Sequence, residues 1–175
     1  MRRLRFTPHL LSTLVVVATL GSASDAFAFG GNRLALDLDF TGAIDETGVG
    51  AGTGGALRFG RKFDLMVLSL TPEIGGSYHT FSGSAEASEY SGFLGARLGF
   101  GKILEPGVFA HGGVAHLSAW GIDDTAPAVD AGVFLDLTLL PILDIGVHAA
   151  YNAILPDGGE AFDWYRLGAH VALGF

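Results

Sequence analysis

The sequence predicts an all-β chain, an eight-stranded antiparallel transmembrane up-and-down β-barrel that follows an N-terminal signal peptide. Three observations carry this. Apolar residues recur at every second position in eight separate runs. The connections between runs alternate short and long. Mean hydropathy is +0.43, yet no stretch after the signal is apolar for the ~20 residues a spanning helix needs. A period of two belongs to a strand whose two faces meet different surroundings. High hydropathy without a helical span is what a transmembrane barrel produces, because its apolar residues occupy alternate positions.

The N-terminus reads as an export signal. Arg2, Arg3 and Arg5 precede the apolar stretch Leu10 to Leu20, and Ala26-Phe27-Ala28 offers a small-x-small cleavage site. Residues 1–28 are therefore expected to be removed, leaving 29–175 as one barrel domain. Cleavage takes the three arginines and Asp25 with it and moves the formal net charge from −8 to −10. That balance argues against a nucleic-acid partner, which requires a basic patch. The chain has no cysteine, which excludes disulfides, thiol chemistry and lipidation at cysteine.

The runs follow in order. The first sets Leu34, Leu36, Leu38 and Phe40 against Arg33, Ala35, Asp37 and Asp39; the second, rich in glycine, sets Leu57 and Phe59 against Ala56, Arg58 and Gly60. The third has Leu68, Leu70, Pro72, Ile74 and Tyr78 against Ser69, Thr71, Glu73, Ser77 and His79. In the fourth, Tyr90, Leu94, Ala96, Leu98 and Phe100 oppose Ser91, Phe93, Gly95 and Arg97. Val108, Ala110, Gly112 and Val114 oppose Gly107, Phe109, His111 and Gly113 in the fifth. The sixth sets Val129, Ala131, Val133, Leu135 and Leu137 against Ala128, Asp130, Gly132, Phe134 and Asp136. The seventh sets Leu143, Ile145, Val147, Ala149 and Tyr151 against Asp144, Gly146, His148 and Asn152. The eighth closes the chain, with Tyr165, Leu167, Ala169, Val171, Leu173 and Phe175 against Arg166, Gly168, His170, Ala172 and Gly174.

Short turns are expected around Arg61–Asp64, Gly101–Glu105 and Leu139–Ile142, and longer polar loops around Thr41–Val49, Thr80–Glu89, Leu117–Thr125 and Ala153–Ala161. Pro72 cannot donate to a ladder, so it implies a bulge or a third strand that begins nearer Glu73. Aromatics gather at both ends of the runs: Phe40, Tyr78, Tyr90, Trp120, Tyr151 and Tyr165 at the loop ends, Phe59, Phe100 and Phe175 at the turn ends. Two such belts mark the two membrane interfaces.

The apolar parity carries no charge within the spanning core. The other parity carries Asp37, Asp39, Glu73, Asp130, Asp136 and Asp144 with Arg33, Arg58, Arg97 and Arg166, and His79, His111, His148 and His170. A charge on the lipid face at midplane costs ~2–4 kcal/mol, so the clean face is the lipid face. An eight-stranded interior is narrow enough for side chains to fill, and the charges there are expected to pair into a plug.

The closing strand, with its terminal aromatic and alternating apolar positions, resembles the C-terminal strand of bacterial outer-membrane barrels. Over its whole mature length the chain resembles the OmpA/OmpX-like superfamily of small outer-membrane β-barrels. The resemblance implies residence in the outer membrane among lipid and lipopolysaccharide, and insertion by the barrel-assembly machinery. It also implies a monomer whose loops face any extracellular ligand. The implied role is structural, adhesive or surface-interacting, with no catalysis and no cofactor; a narrow channel or transporter for small solutes is the alternative.

His116-Leu-Ser118 with Asp130 also resembles the His-x-Ser and later acid of the lipid A 3-O-deacylases, barrels that hydrolyse an ester with a Ser-His-acid triad. Here Ala119 stands where that family has Asn, and Asp130 where it has Glu. His116 and Ser118 fall on the lipid parity and Asp130 on the lumen parity, so no catalytic site is expected. Asp123-Asp124, Asp157 and Glu160 match no loop spacing for a cation, and no metal site is expected there. Deleting Phe175, or placing a charge at Leu173, should leave the protein degraded before insertion; immunoblots of outer-membrane fractions check this, with depletion as the expected result.

Overall fold

Alternation turns into pairing once each strand finds neighbours on both sides, because lipid offers no partner for a backbone N–H or C=O. The computed structural model describes residues 31–44, 49–83, 87–119, 122–156 and 161–175. The expected signal peptide, and Ser84, Trp120, Asp157 and Glu160, lie outside the described residues. The strands are β1 (Asn32–Ala43), β2 (Val49–Arg61), β3 (Phe63–Leu65), β4 (Leu68–Gly83) and β5 (Ala87–Phe100). They continue with β6 (Leu104–Ala119), β7 (Ile122–Leu140), β8 (Leu143–Ile154) and β9 (Phe162–Gly174). Each pairs antiparallel with its neighbours, and β1 pairs with β9 from Arg33↔Gly174 to Ala43↔Trp164, which closes the barrel.

Eight staves carry these nine strands, because β2 and β3 form one. Gly60↔Glu73 and Phe63↔Leu70 continue a single register against β4. Between them the ladder lapses at Arg61 and Lys62, opposite Pro72 and Thr71. Pro72 has no N–H to offer at that point, and it pairs on its other side with Ala96. The proline therefore interrupts its neighbour's ladder; β4 starts at Leu68 and runs straight through it. This corrects two expectations. The third strand does not begin near Glu73, and the first turn is not at Arg61–Asp64 but at Met66–Val67, where Met66 takes φ 61. Met66 is a bulky residue in the left-handed region that glycine favours.

The outer connections also differ from expectation. Thr80–Gly83, Ala87–Glu89, Leu117–Ala119 and Ile122–Thr125 continue the ladders of β4, β5, β6 and β7. With 16 residues in β4 and in β6 and 19 in β7, these strands outrun the ~9–11 residues that cross a bilayer. The outer end of the barrel therefore stands clear of the membrane as paired sheet.

The two parities take the expected faces. Leu38 is 69% exposed while Asp37 beside it is 2% exposed. Leu34, Leu57, Ile74, Leu94, Val108, Val133, Val147 and Leu167 all point outward. On β5, Tyr90 and Phe100 are both exposed and stand ten residues apart on this face. At ~3.3 Å per residue and a tilt of ~40°, that spacing spans about 25 Å along the membrane normal, the height of a barrel's apolar band. Leu94 lies near its middle. Leu94→Arg should therefore cost ~2–4 kcal/mol and Leu98→Arg, nearer the interface, about 1 kcal/mol or less. Leu94→Ala should be milder than Leu94→Arg. Urea midpoints of the refolded barrels in lipid vesicles measure all three.

Candidate functional site: an ionic lumen under an aromatic cap

The lumen is built from the other parity, and register decides who meets whom. Near the periplasmic end Lys62 Nζ reaches Glu105 at 2.5 Å, and Ser69 donates to the same carboxylate at 2.6 Å. Next comes a hub at Asp136, which accepts from Arg33 at 3.0 Å, Arg97 at 3.2 Å and His170 at 2.8 Å. Arg33 also pairs with Asp144 at 2.7 Å. The Arg97 guanidinium lies 3.8 Å from the centroid of the Phe134 ring, a cation–π contact in a desolvated site.

Arg58 forms the second knot. Its Nε and Nη2 donate to the two oxygens of Asp37, each at 2.7 Å, and its Nη1 to Glu73 at 2.9 Å. The planar fork of arginine suits this bidentate grip. Glu73 also accepts from His111, whose other ring nitrogen faces Asp130; both contacts are 2.8 Å. Further out, Asp39 accepts from His148 at 2.8 Å and His79 at 3.1 Å, and His79 bridges on to Glu89 at 2.9 Å. Arg166 stands 3.9 Å from both Asp39 and Asp130.

Every acid, arginine and histidine assigned to the lumen from sequence is there. Glu89, Glu105 and Lys62 were missed because the runs were ended too early; Glu89 shares the parity of Ser91, and Glu105 that of Gly107.

A second layer was missed outright. Phe81, Phe162 and Trp164 point inward at the outer end of the barrel and pack with Val49, Ala87, Ala115, Ala126 and Ile154 into a buried apolar cluster. The Phe81 and Phe162 rings meet edge-on with centroids 5.5 Å apart, and Phe162 and Trp164 are also 5.5 Å apart. Contacts of this kind contribute ~0.5–1.5 kcal/mol each beyond their area. Between the cap and the ionic layer, a cavity of about 20 Å³ is lined by Glu89, His111, Asp130, Asn152, Trp164 and Arg166. That is room for about one water.

The structure does not assemble the esterase-like residues. His116 lies on the outward face, with Nδ1 2.8 Å from Thr125 Oγ1 and its ring stacked on Tyr90. Ser118 shares that parity, while Asp130 is inside the barrel with His111. Asp123 stands 3.8 Å from His116 at the outer rim.

Among the described residues Arg58 is the side chain that forms an ion pair with Asp37, whereas Asp136 keeps both Arg33 and His170 when Arg97 is removed. Arg58→Ala should therefore cost ~3–5 kcal/mol, the range for a broken buried pair, and Arg97→Ala clearly less. Urea midpoints in lipid vesicles check the ranking.

No protein-family model matches the chain, and no curated protein does. Solved structures do. Neisserial surface protein A is 18% identical, with a TM-score of 0.60 over 83% of this chain and 97% of that one. The outer membrane enzyme PagL is 16% identical, with a TM-score of 0.53 over 78% and 97%. The N-terminal β-barrel domain of Pseudomonas aeruginosa OprF is 16% identical, with a TM-score of 0.50 over 83% and 99%. At these identities the likeness is one of fold. The chain therefore has the fold of these outer-membrane β-barrels, and its outward apolar band is the surface that such a barrel turns to lipid.

Proposed function

We propose that this barrel is a non-conducting, non-catalytic component of the outer membrane, with a structural, adhesive or surface-interacting role. One observation carries the reading: the lumen is filled twice over, by paired charges at membrane level and by the Phe81–Phe162–Trp164 cluster above them. A solute path would have to break both layers. Buried charges that already have partners favour holding the staves together over passing ions.

The surface offered to an extracellular ligand is then the paired sheet that β4, β6 and β7 raise above the outer aromatic belt. In this reading the chain works as a monomer among lipid and lipopolysaccharide, after insertion by the barrel-assembly machinery. The scattered positions of His116, Ser118 and Asp130 favour a role without ester chemistry.

Planar-bilayer recordings test the proposal. Wild-type barrels are expected to give no unitary steps, while a lumen opened in both layers, by Phe81→Ala and Trp164→Ala together with Arg97→Ala, leaks. Discrete conductance from the wild type would overturn the reading in favour of a channel. Release of fatty acid from lipopolysaccharide, lost in Ser118→Ala, would overturn it in favour of an esterase.

A further inference from the structure

The lumen histidines are not alike. His79 and His111 each have a carboxylate on both ring nitrogens. His148 and His170 do not. Their Nε2 atoms donate to Asp39 and Asp136 at 2.8 Å, and their Nδ1 atoms face each other at 3.3 Å. A carboxylate can only accept, so both Nε2 atoms carry hydrogen, and in neutral rings both Nδ1 atoms present lone pairs. Two lone pairs turned on each other in a water-poor interior need a positive centre between them. The Asp37 carboxylate, whose two oxygens each accept from Arg58 at 2.7 Å and keep a second lone pair, closes the group: one ligand atom from each of Asp37, His148 and His170 lies within 4.8 Å of the others.

We propose that Asp37, His148 and His170 supply three ligands to a divalent transition-metal ion of the zinc type, with the fourth position taken by water, so that the ion links β1, β8 and β9 in the lumen. Zinc is bound tetrahedrally by histidine nitrogens at about 2.0–2.1 Å, which sets two such nitrogens about 3.3–3.4 Å apart. The observed 3.3 Å is that spacing. Both histidines also carry the outer-shell partner typical of metal ligands, a carboxylate on the far nitrogen that fixes tautomer and ring orientation. Charge favours a cation too. Asp37, Asp39, Glu73, Glu89, Glu105 and three further carboxylates line the lumen against four arginines and Lys62.

The sequence builds the room for this site. Gly146-Val-His148 on β8 and Gly168-Ala-His170 on β9 run antiparallel, in the register Gly146↔His170 and His148↔Gly168. Each histidine thus faces the other strand's glycine. A Cβ at Gly168 would collide with the His148 ring and Asp39, and one at Gly146 with the His170 ring and Asp136. The Gly-x-His pair makes two pockets shaped for imidazole.

The test uses the full mature chain refolded with Zn²⁺ or Co²⁺, freed of loose metal by dialysis and analysed for metal content. About one ion per folded chain is expected, with the visible absorption of tetrahedral Co²⁺. His148→Gln and His170→Gln should lose it, Asp39→Asn should weaken it about 10–100-fold, and the outward His116→Gln should bind as wild type does. If the histidine variants fail to fold, the wild-type stoichiometry and the Asp39→Asn affinity decide alone. The proposal is overturned if folded wild type retains no metal, or if binding survives in both histidine variants. The head-on approach of the two nitrogens also suits a shared proton; nitrogen NMR showing an N–H···N bridge in metal-saturated solution would overturn it as well.

Discussion

An eight-stranded barrel is only just wide enough for side chains to fill its interior, and the arrangement inside this one follows from that limit. The outward face must be apolar because lipid surrounds it, so the polar residues of every stave turn inward. Once inside, they lose bulk water, and a buried charge without a partner costs several kcal/mol. The sequence meets the cost by distributing acids and bases so that register brings them together. Asp37 and Arg58 meet across neighbouring strands, and Asp39 reaches His148, 109 residues away in sequence. The glycines opposite the histidines belong to the same solution, since rings of that size need a bare backbone beside them.

The two halves of the lumen seal it differently. At membrane level the filling is ionic, with arginines held between carboxylates and over Phe134. Above it the filling is aromatic, where the barrel has left the membrane and an ordinary apolar core serves. Orientation in the ionic layer is fixed by directional bonds, while the cap excludes water without needing any. Wider barrels enclose a channel, whereas here both layers fill the interior with side chains.

Much of this was legible in the residues because alternation records which side of a wall each side chain occupies. The parity of Leu34 through Phe40 against Arg33 through Asp39 needs no partner strand to be read. The ends of the strands were not legible for the same reason. Beyond the bilayer the outward face is solvated and no longer apolar, so Thr80, Ser88 and Asp124 look like loop while the backbone still pairs. Phe81, Phe162 and Trp164 were hidden by that error, since an inward aromatic cap is visible only once the strand is carried to them. Pro72 was ambiguous because sequence does not show which of two neighbouring ladders gives way. The histidine pair needed register: Gly-x-His appears on both strands, but only antiparallel alignment sets each ring over a glycine.

Paired lumen charges, and not charges separately solvated, hold the staves together. A double-mutant cycle on Arg58 and Asp37 tests this most directly, using Arg58→Met, Asp37→Leu and the combination, with stability read from urea midpoints in lipid vesicles. Each single change should be strongly destabilising, and the double change should restore much of the loss, giving a coupling energy of about 2–3 kcal/mol. Additive losses, within about 0.5 kcal/mol, would show that each charge is solvated on its own and that the lumen is wet.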